Sequence, residues 1–242
     1  TVIVPVHYAG VSCEMDALLA IGARHGVMVV EDAAQGVMAS YKGRPLGGLG
    51  ALGAVSFHET KNISSGEGGA LLVNDARLAG RAEVLWQKGT NRGQFSRGEV
   101  EKYTWMDVGS SFLPSEITAA FLAAQMEGAH VIGESRLAVW TQYHEAFADL
   151  EADGLVRRPI VPGDCAHNAH LYYLLLPTRA ARDEALADLN ARGINAVFHY
   201  VPLHSSPAGR RYGRPAAALP VTDEMSGRLL RLPLWAAMPE AT

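Results

Sequence analysis

The first half of the chain alternates short apolar runs with amphipathic segments, a pattern that predicts strands joined by helices. "VIVPV" (residues 2–6) and "VMVVED" (27–32) are β-branched apolar runs of the kind that is buried on both faces of a parallel sheet. Between them, "CEMDALLAIGARHG" places its apolar residues near helical spacing and ends at Gly26, where a C-terminal glycine is expected. We therefore predict one βαβ unit at the start of the chain.

Two more apolar runs and a further amphipathic segment extend this alternation. "ALGAVSF" (51–57) and "GALLVND" (69–75) predict strands, and "ARLAGRAEVLWQKG" (76–89) predicts a helix. Strands that alternate with helices are typical of α/β domains, whose sheets are mostly parallel. We therefore expect the first half of the chain to form a large α/β domain around a parallel or mixed sheet.

A long helical pattern follows and is opened by Ser115. Gly128 and Gly133 interrupt it, so we expect a break or bend between them. The pattern is long enough to bridge two domains. We therefore divide the chain into part of a large domain, residues 1–125, and an interdomain helix with a small C-terminal domain, residues 126–242.

The last third of the chain returns to shorter elements. "AHLYYLLLP" (169–177) predicts a strand, "RAARDEALADLNARG" (179–193) a helix and "INAVFHY" (194–200) a second strand. The most loop-like stretch is "SSPAGRRYGRPAAALP" (205–220). This order predicts a small α+β domain.

Composition narrows the classes of function. With 242 residues, 48% of them hydrophobic, the chain can bury one large core or two smaller ones. A formal net charge of -4 provides no basic surface for a polyanion, so we expect no nucleic-acid partner. Cys13 and Cys165 lack metal-ligand spacing and indicate reduced thiols, with no metal site. No apolar stretch reaches the roughly 20 residues that cross a bilayer, so we expect a cytoplasmic protein with no membrane partner.

Two polar clusters follow predicted strands. Glu31, Asp32 and Gln35 come after "VMVV", and the second cluster runs from Ser56 to Asn62. In open α/β sheets, ligands bind beyond the carboxyl ends of the strands, so both clusters are candidates for one site. An isolated Asp at a strand end is equally a helix cap or a turn former, and an isolated lysine is more often solvated. An aspartate and a lysine that both follow strands are better explained by one shared ligand than by two separate structural roles.

Pyridoxal 5'-phosphate (PLP) is a cofactor that needs both kinds of group. Lys61 offers an amine that can bond the cofactor covalently, and Asp32 offers an anion that keeps its ring nitrogen protonated. The hydroxyl of Ser56 can donate to the phosphate, and Gln35 can reach the ring face or the phenolic oxygen. The sequence therefore predicts a PLP site.

The glycines around Lys61 support this prediction over a phosphate loop of the Walker type. A Walker loop places its glycines before the lysine, whereas in this chain the glycines follow it, at positions 66, 68 and 69. Glycines in these places permit a tight return of the chain beside a cofactor.

Several motifs resemble one known family. "VEDAAQG", "SFHETKNISSGEGGALLVND", "KGTNRGQF", "YTWMDVGSSFLPSE" and "FHYVPLHSSPAG" are similar to segments of the DegT/StrS sugar-nucleotide aminotransferases. The resemblance runs from Val2 to Pro239 and implies PLP-dependent transferase fold type I, as in aspartate aminotransferase. It implies a large sheet domain and a small α+β C-terminal domain. Because the chain also begins inside a strand-like run, we expect it to be an excerpt that lacks an N-terminal part and a short C-terminal end of the family.

The resemblance implies a role for individual residues. Lys61 resembles the family's Schiff-base lysine and Asp32 the partner of the ring nitrogen. Gln35 resembles the residue at the phenolic oxygen and Ser56 a phosphate ligand. Many members place an asparagine from the neighbouring subunit on the phosphate, in a G-x-N-Y pattern; this chain has "GSSF" there, which puts the shorter Ser111 in that position. The resemblance therefore implies a homodimer with shared active sites.

Further polar and aromatic residues are candidates for binding the substrates. They stand at strand ends or in loops of the motifs above: His58, Arg92, Tyr103, His199, Tyr200 and His204. Arg92 and Arg97 would give bidentate contacts to a diphosphate or a carboxylate. Each candidate has a structural alternative, because histidines beside aromatic residues commonly pack and exposed arginines are commonly solvated. Tyr103 and Trp105 could stack on a nucleotide, but they are equally candidates for anchors in the core or at an interface.

The activity that the resemblance implies is transamination. An amino group from a donor, glutamate in the family, would pass through PLP to the keto carbon of a nucleotide-linked 4-keto-6-deoxy sugar, as in cell-surface polysaccharide biosynthesis. Family members that dehydrate sugars carry histidine in place of the lysine, so Lys61 favours amino transfer. Two alternatives stay open: a non-catalytic dimerisation or binding module of the same fold, and an aminotransferase that acts at a different keto-sugar position.

Overall fold

The computed structural model describes residues 1–215 and 217–239. The chain divides into two compact units. The first unit consists of Thr1–Gly133 and Pro162–Asn168, and the second of Glu134–Val161 and Ala169–Thr242. The division into domains at residues 125 and 126 stays a prediction.

Short strands alternate with helices along most of the described residues. The strands are β1 (Val2–Ile3), β2 (Met28–Asp32), β3 (Ser40–Tyr41), β4 (Arg44–Pro45), β5 (Leu52–Ser56), β6 (Gly69–Val73), β7 (Cys165–Ala166), β8 (Tyr172–Leu175), β9 (Val197–Phe198) and β10 (Leu229–Leu232). The α-helices are α1 (Met15–His25), α2 (Ala79–Trp86), α3 (Arg92–Ser96), α4 (Glu116–Glu127), α5 (Ala129–Ala146), α6 (Ala148–Ala152), α7 (Arg179–Ala191), α8 (Pro207–Tyr212) and α9 (Pro220–Arg228). Short 3-10 helices cover Tyr8–Gly10, Ala76–Leu78 and Leu203–Ser205.

A mixed sheet with the order β1-β2-β5-β6 organises the first unit. Strands β1, β2 and β5 are parallel, whereas β6 runs antiparallel to β5. Helix α1 connects β1 to β2 and ends as predicted, because Gly26 adopts the left-handed conformation (φ 63°) that a terminating glycine provides. Met15 of α1 packs with Val29 of β2 in the core. The predicted βαβ unit is confirmed.

The first predicted strand is shorter and more exposed than its pattern indicates. Regular pairing covers only β1, and Val6 rejoins the ladder as an isolated parallel bridge to Asp32. Pro5 has no N–H to donate, so it interrupts the ladder between these points. The side chains of Val2, Val4 and Val6 are about half exposed. Burial on both faces was therefore a wrong prediction for this edge strand.

A second, small sheet brings a distant part of the chain to the first unit. Strands β3 and β4 form a hairpin whose turn residues, Lys42 and Gly43, both have positive φ angles. Strand β7, which comes after α6 in the chain, pairs antiparallel with β3. The segment Pro162–Asn168 is therefore part of the first unit although most of its sequence neighbours belong to the second.

The long helical pattern is broken at Gly128, the first of the two glycines between which a break was predicted, whereas Gly133 lies within α5. The side chain of Ser115 accepts a hydrogen bond from the N–H of Thr118 at 3.2 Å and caps α4. Helix α4 ends at Glu127 and α5 begins at Ala129, so Gly128 separates them. No helix of the described residues is long and apolar enough to span a bilayer.

The second unit contains an antiparallel sheet with the order β8-β10-β9, packed with aromatic and aliphatic residues of α5 and α7. Strands β8 and β9 are shorter than predicted, and the central strand β10 lies in a stretch for which the sequence pattern predicted no element. The stretch 205–220 is less loop-like than predicted. It contains α8, which is capped by the side chain of Ser206 and begins at Pro207. Residue 216 lies outside the described residues.

Candidate functional site

The carboxyl ends of β2 and β5 lie side by side in the first unit. The two strands are parallel neighbours, with Asp32 paired with Ala54 in register. Asp32 is the last residue of β2 and Ser56 the last residue of β5, so both stand at the same edge of the sheet. This is the edge at which open α/β sheets bind ligands.

Asp32 is half-buried and ordered by its backbone and its side chain. Its N–H donates to the carbonyl oxygen of Pro5 at 2.9 Å, and its carbonyl oxygen accepts from His7 N–H at 3.0 Å. Its carboxylate oxygen Oδ1 accepts from the N–H of Ala34 at 3.1 Å. Asp32 thus shapes the turn after β2, and its carboxylate stays at the edge of the sheet.

The neighbouring residue Glu31 has a different environment, because successive side chains of a strand point to opposite faces. Glu31 is fully buried, and its Oε2 lies 2.8 Å from Nε2 of His7, which is also fully buried. Oε2 also accepts from Gly47 N–H at 2.8 Å, while Oε1 accepts from the N–H groups of Leu49 and Gly50, both at 2.6 Å. Burial raises the pKa of Glu31, but these hydrogen bonds outweigh it and leave the pKa lowered. Glu31 is a structural carboxylate.

Gln35 is held in a single orientation. Its Oε1 accepts a 2.6 Å hydrogen bond from the N–H of Ala9. A backbone N–H can only donate, so the atom that faces it must be the oxygen, and the amide Nε2 is the end that can donate to a ligand. Ala9 reaches this position with a positive φ of 60°, a conformation that costs free energy for a residue with a Cβ. A donor at Gln35 suits an anionic phenolic oxygen.

Lys61 lies in a compact loop between β5 and β6. The loop is closed by hydrogen bonds from Phe57 N–H to Gly68 O and from Ser65 N–H to Phe57 O, both 2.8 Å long. Lys61 itself is half-buried, and its N–H donates to His58 O at 2.9 Å. The hydroxyl oxygen of Ser56 accepts from the N–H of His58 at 3.3 Å, which ties the strand end to the loop.

The glycines after Lys61 are needed for this loop. Gly66 has a φ of 79°, which favours glycine. A Cβ at Gly69 would lie 2.7 Å from the carbonyl oxygen of Val55, closer than such contacts allow. The tight return predicted for these glycines is confirmed in the structure.

Asn168 connects the loop that contains Lys61 to the turn after β2 that contains Gln35, which we name the Gln35 turn. Its backbone oxygen accepts from Nδ2 of Asn62 at 2.7 Å, and its own Nδ2 donates to the carbonyl oxygens of Gln35 and Val37, both at 2.8 Å. Asn168 was not among the candidates selected from the sequence. No local pattern could have indicated it, because the partners are separated by 106 to 133 residues of sequence.

Ser111 lies in an exposed segment that is fixed to the end of α2. It forms an isolated antiparallel bridge with Gln87, and its neighbour Ser110 donates to Leu85 O at 3.1 Å. Several large apolar side chains around it are more than half exposed; they are Tyr103, Trp105, Met106, Val108, Phe112, Ile117 and Phe121. The segment is therefore ordered by backbone contacts while its apolar side chains face outward.

The two arginine candidates of the first unit have surface environments. Arg92 is exposed at the start of α3. Arg97 binds the carboxylate of Glu83 through two nitrogens, at 2.7 and 3.1 Å, and also contacts Glu99. The guanidinium of Arg97 is therefore already paired with carboxylates of its own chain.

The aromatic and histidine candidates of the first unit lie near the surface as well. Tyr103 is 53% exposed and packs against Phe95. A core position for Tyr103 or Trp105 is excluded by these exposures, since Trp105 is 76% exposed. His58 is half-buried, and its Nδ1 lies 2.9 Å from the hydroxyl of Thr60.

The candidates of the second unit lie near the end of β9. His199 is half-buried; burial and the nearby charge of Arg231 lower its pKa to about 4, so it is neutral at physiological pH. Tyr200 is exposed, with its ring 5.4 Å from that of His199. Nε2 of His204 lies 3.1 Å from a carboxylate oxygen of Asp223. These residues keep their status as candidates for substrate binding.

The first-unit residues fit PLP in the chemistry of their side chains. Lys61 supplies a primary amine, Asp32 a carboxylate and Ser56 a hydroxyl at one edge of the sheet. Gln35 presents an amide donor whose orientation is fixed by Ala9. The glycine-dependent return of the chain after Lys61 brings backbone close to this edge. This set of groups matches the needs of a cofactor with a carbonyl, a ring nitrogen, a phenolic oxygen and a phosphate.

Comparison with known proteins agrees with this chemistry. Residues 1–242 match the DegT/DnrJ/EryC1/StrS aminotransferase family. A curated relative, the spore coat polysaccharide biosynthesis protein SpsC of Bacillus subtilis (strain 168), is 32% identical over 98% of the chain. The solved structure of S. venezuelae DesV in complex with a ketimine intermediate is 32% identical over 98% of the chain, with a TM-score of 0.84.

A further solved structure, DesI in the presence of its TDP-sugar product, is 27% identical over 99% of the chain, with a TM-score of 0.84. The chain spans only part of each of these proteins: 62% of SpsC, 60% of DesV and 58% of DesI. The fold of the chain is therefore that of PLP-dependent sugar aminotransferases, which confirms the predicted fold class.

Proposed function

Because the chain belongs to the DegT/DnrJ/EryC1/StrS aminotransferase family, we propose that the protein is a PLP-dependent sugar aminotransferase in which Lys61 bonds the cofactor. The observation that carries this proposal is the meeting of two candidate clusters at one sheet edge. Asp32 and Ser56 end neighbouring parallel strands, and the Lys61 loop and the Gln35 turn share one hydrogen-bonded partner, Asn168.

The relatives and the motifs support a substrate class for this proposal. DesI was solved with its TDP-sugar product, and SpsC takes its name from polysaccharide biosynthesis. The motifs "FHETKN" and "KGTNR", followed by "YTW", resemble motifs of dTDP-4-dehydro-6-deoxyglucose 4-transaminase. We therefore propose a nucleotide-linked 4-keto-6-deoxy sugar as the amino acceptor and glutamate as the donor. Amination at a different carbon of the sugar is the alternative closest to this proposal.

Each residue of the site has a separate task in this chemistry. Bound PLP supplies an electron sink for the negative charge that develops on the reacting carbon. With PLP bound, the amine of Lys61 would be the base that moves the proton at the Cα of the amino-acid donor. The carboxylate of Asp32 would keep the ring nitrogen of the bound cofactor protonated. Nε2 of Gln35 would donate to the phenolic oxygen, and the hydroxyl of Ser56 would donate to the phosphate.

We also propose that two copies of the chain complete each other's sites. The segment around Ser111 exposes several large apolar side chains, of which Trp105 and Ile117 are 76% and 84% exposed. Exposed apolar side chains in this number mark an interaction surface. In a two-fold dimer, each copy would lend Ser111 to the phosphate of the other. Sedimentation of the full-length protein, with cofactor absorbance followed in the same run, tests this: a monomer with the full cofactor band would contradict it.

The test of the activity is chemical labelling of the lysine. The full-length protein is loaded with PLP, reduced with borohydride and mapped by peptide mass. The chain has four lysines, Lys42, Lys61, Lys88 and Lys102, and peptide mapping distinguishes them from one another and from any other lysine of the full-length protein. We expect the label on Lys61 and its loss in Lys61→Arg, which keeps the charge. A label on another lysine would overturn the assignment.

The competing function is a non-catalytic module of the same fold. Such a module would keep the sheet and the exposed apolar segment but would hold no cofactor. A visible absorption band from PLP bonded to the protein separates the two functions, since an empty module has no chromophore in that range. Absence of both the band and the borohydride label would favour the module.

A further inference from the structure

Asn168 joins four separate segments of the first unit. Its side chain is almost fully buried. Nδ2 donates to Gln35 O and Val37 O, and its backbone oxygen accepts from Asn62 Nδ2. Its Oδ1 lies directly against Gly10, where an added Cβ would be only 2.0 Å away. We name this set of residues, Gly10, Gln35, Val37, Asn62 and Asn168, the Asn168 junction.

The junction meets both halves of the proposed cofactor site. Gln35, whose carbonyl oxygen it binds, carries the amide donor, and Asn62 directly follows Lys61. The side chain of Gln35 is fixed independently by Ala9, which precedes Gly10 of the junction. The backbone at Gln35 is therefore fixed to the buried side chain of Asn168, and the Lys61 loop is fixed to the backbone oxygen of Asn168.

We propose that Asn168 is a positioning residue that sets the spacing between Lys61 and Gln35, and thereby the fit of the cofactor between them. This inference rests on the proposed function. Asn168 does not itself need to touch the cofactor. It acts through the carbonyl oxygens of Gln35 and Val37, which would turn away if its amide donor were lost, and through Asn62, which holds the loop of Lys61.

The same unit offers a matched control. Nδ2 of Asn74 also donates to two carbonyl oxygens, those of Gly47 and Gly50, at 2.8 and 2.9 Å. These bonds order the loop that surrounds Glu31 and contact neither Gln35 nor the Lys61 loop. Asn74→Ala therefore removes a pair of amide-to-carbonyl hydrogen bonds like the pair that Nδ2 of Asn168 donates, without touching the junction.

The experiment compares the two variants in the full-length protein. Hydrogen exchange of the cofactor-free protein should become faster in the segments 35–37 and 61–62 for Asn168→Ala only. In the same variant the Kd for PLP should rise on the order of tenfold, as expected for two lost hydrogen bonds, and the visible band should shift or broaden. Asn74→Ala should change the Kd by less than about twofold. Equal changes in both variants would overturn the positioning role.

Two further results distinguish a failure of the positioning role from a failure of the variant to fold and from a failure of the proposed function. If Asn168→Ala does not fold, Asn62→Ala removes one bond of the junction, and exchange should then rise at the Lys61 loop more than at the Gln35 turn. An equal increase in exchange in both segments, or no increase in either, would contradict the proposal that the Asn168 junction holds the Lys61 loop. If the wild-type protein binds no PLP, the proposed function fails and the role toward the cofactor fails with it. The exchange data would then decide only whether the two segments are coupled.

Discussion

Glu31 and Asp32 are adjacent carboxylates at the end of β2, and the structure gives them opposite roles. Glu31 is fully buried and surrounded by His7 and three backbone N–H groups. Asp32 is half-buried, and its carboxylate accepts from one neighbouring backbone N–H. The two side chains point to opposite faces of the strand. One carboxylate therefore stabilises the fold, and the other is placed at the edge where a ligand can bind.

The difference between Glu31 and Asp32 lies in how many hydrogen-bond donors of the protein surround each carboxylate. A buried carboxylate must be satisfied by donors, or its desolvation destabilises the protein. The loop Gly47–Gly50 satisfies Glu31, and its chain path places Gly47 and Gly50 close enough to donate. Glu31 stabilises the fold, whereas the role that we propose for Asp32 is chemical.

The largest effect that would test this contrast is on stability. Glu31→Gln should lower the free energy of unfolding by about 3–5 kcal/mol, because it breaks a buried charged pair and turns an amide donor toward backbone N–H groups. Urea unfolding followed by circular dichroism measures the change. Asp32→Asn serves as the control and should unfold near the wild-type midpoint, since its side-chain oxygen can still accept from Ala34 N–H. Equal destabilisation by both substitutions would break the contrast.

The next effect is on chemistry. Asp32→Asn should still bind PLP, but it should slow the half-reaction with the amino donor by about 10- to 1000-fold. An opposite charge within a few ångström shifts a pKa by about 1–3 units, and the neutral amide no longer keeps the ring nitrogen protonated. Single-turnover kinetics with the full-length protein measure the rate. A rate near that of the wild type would refute the role of Asp32 and leave both carboxylates with structural tasks.

The smallest effect concerns pH. Because the folded pKa of Glu31 lies below its ordinary value of 4.5, its stabilisation is fully present above pH 4.5 and is lost as the pH falls through the folded pKa. The difference in stability between wild type and Glu31→Gln should be largest between about pH 5 and 6 and should shrink in more acidic solution. It should also shrink as the pH rises from 6.5 toward 9, because Glu31 helps to raise the pKa of the buried His7 from 6.5 to about 9. Chemical unfolding at a series of pH values tests this. A difference that grows in acid would have the wrong sign for an ionised Glu31.

Much of the first unit could be predicted because its signals are local. Helix α1 was recognised from apolar spacing and a terminal glycine, and both signals act within a few residues. The cap at Ser115 and the break at Gly128 were recognised in the same way. Strand β1 was overestimated, since the burial of a strand depends on what covers it. Strand β10 was missed, although it is the centre of the second sheet.

The chemistry of the site was likewise a local signal. Lys61, Asp32, Ser56 and Gln35 could be selected from their types and their positions after apolar runs. Arg97 shows the limit of this approach. It was a candidate for binding an anionic ligand, but Glu83 and Glu99 occupy its guanidinium in the structure. The position of a residue in the sequence does not show which side chains it will contact in the folded protein.

The order of residues alone determined the kinds of elements in the first unit and the side chains that could perform the chemistry, because periodicity, caps and residue type act over short stretches. The tertiary structure alone decided which of two adjacent carboxylates is buried, that β7 returns to pair with β3, and that Asn168 joins the Lys61 loop to the Gln35 turn. These features are hydrogen bonds between segments separated by up to 133 residues. They form only when the whole unit packs, and so no local pattern encodes them.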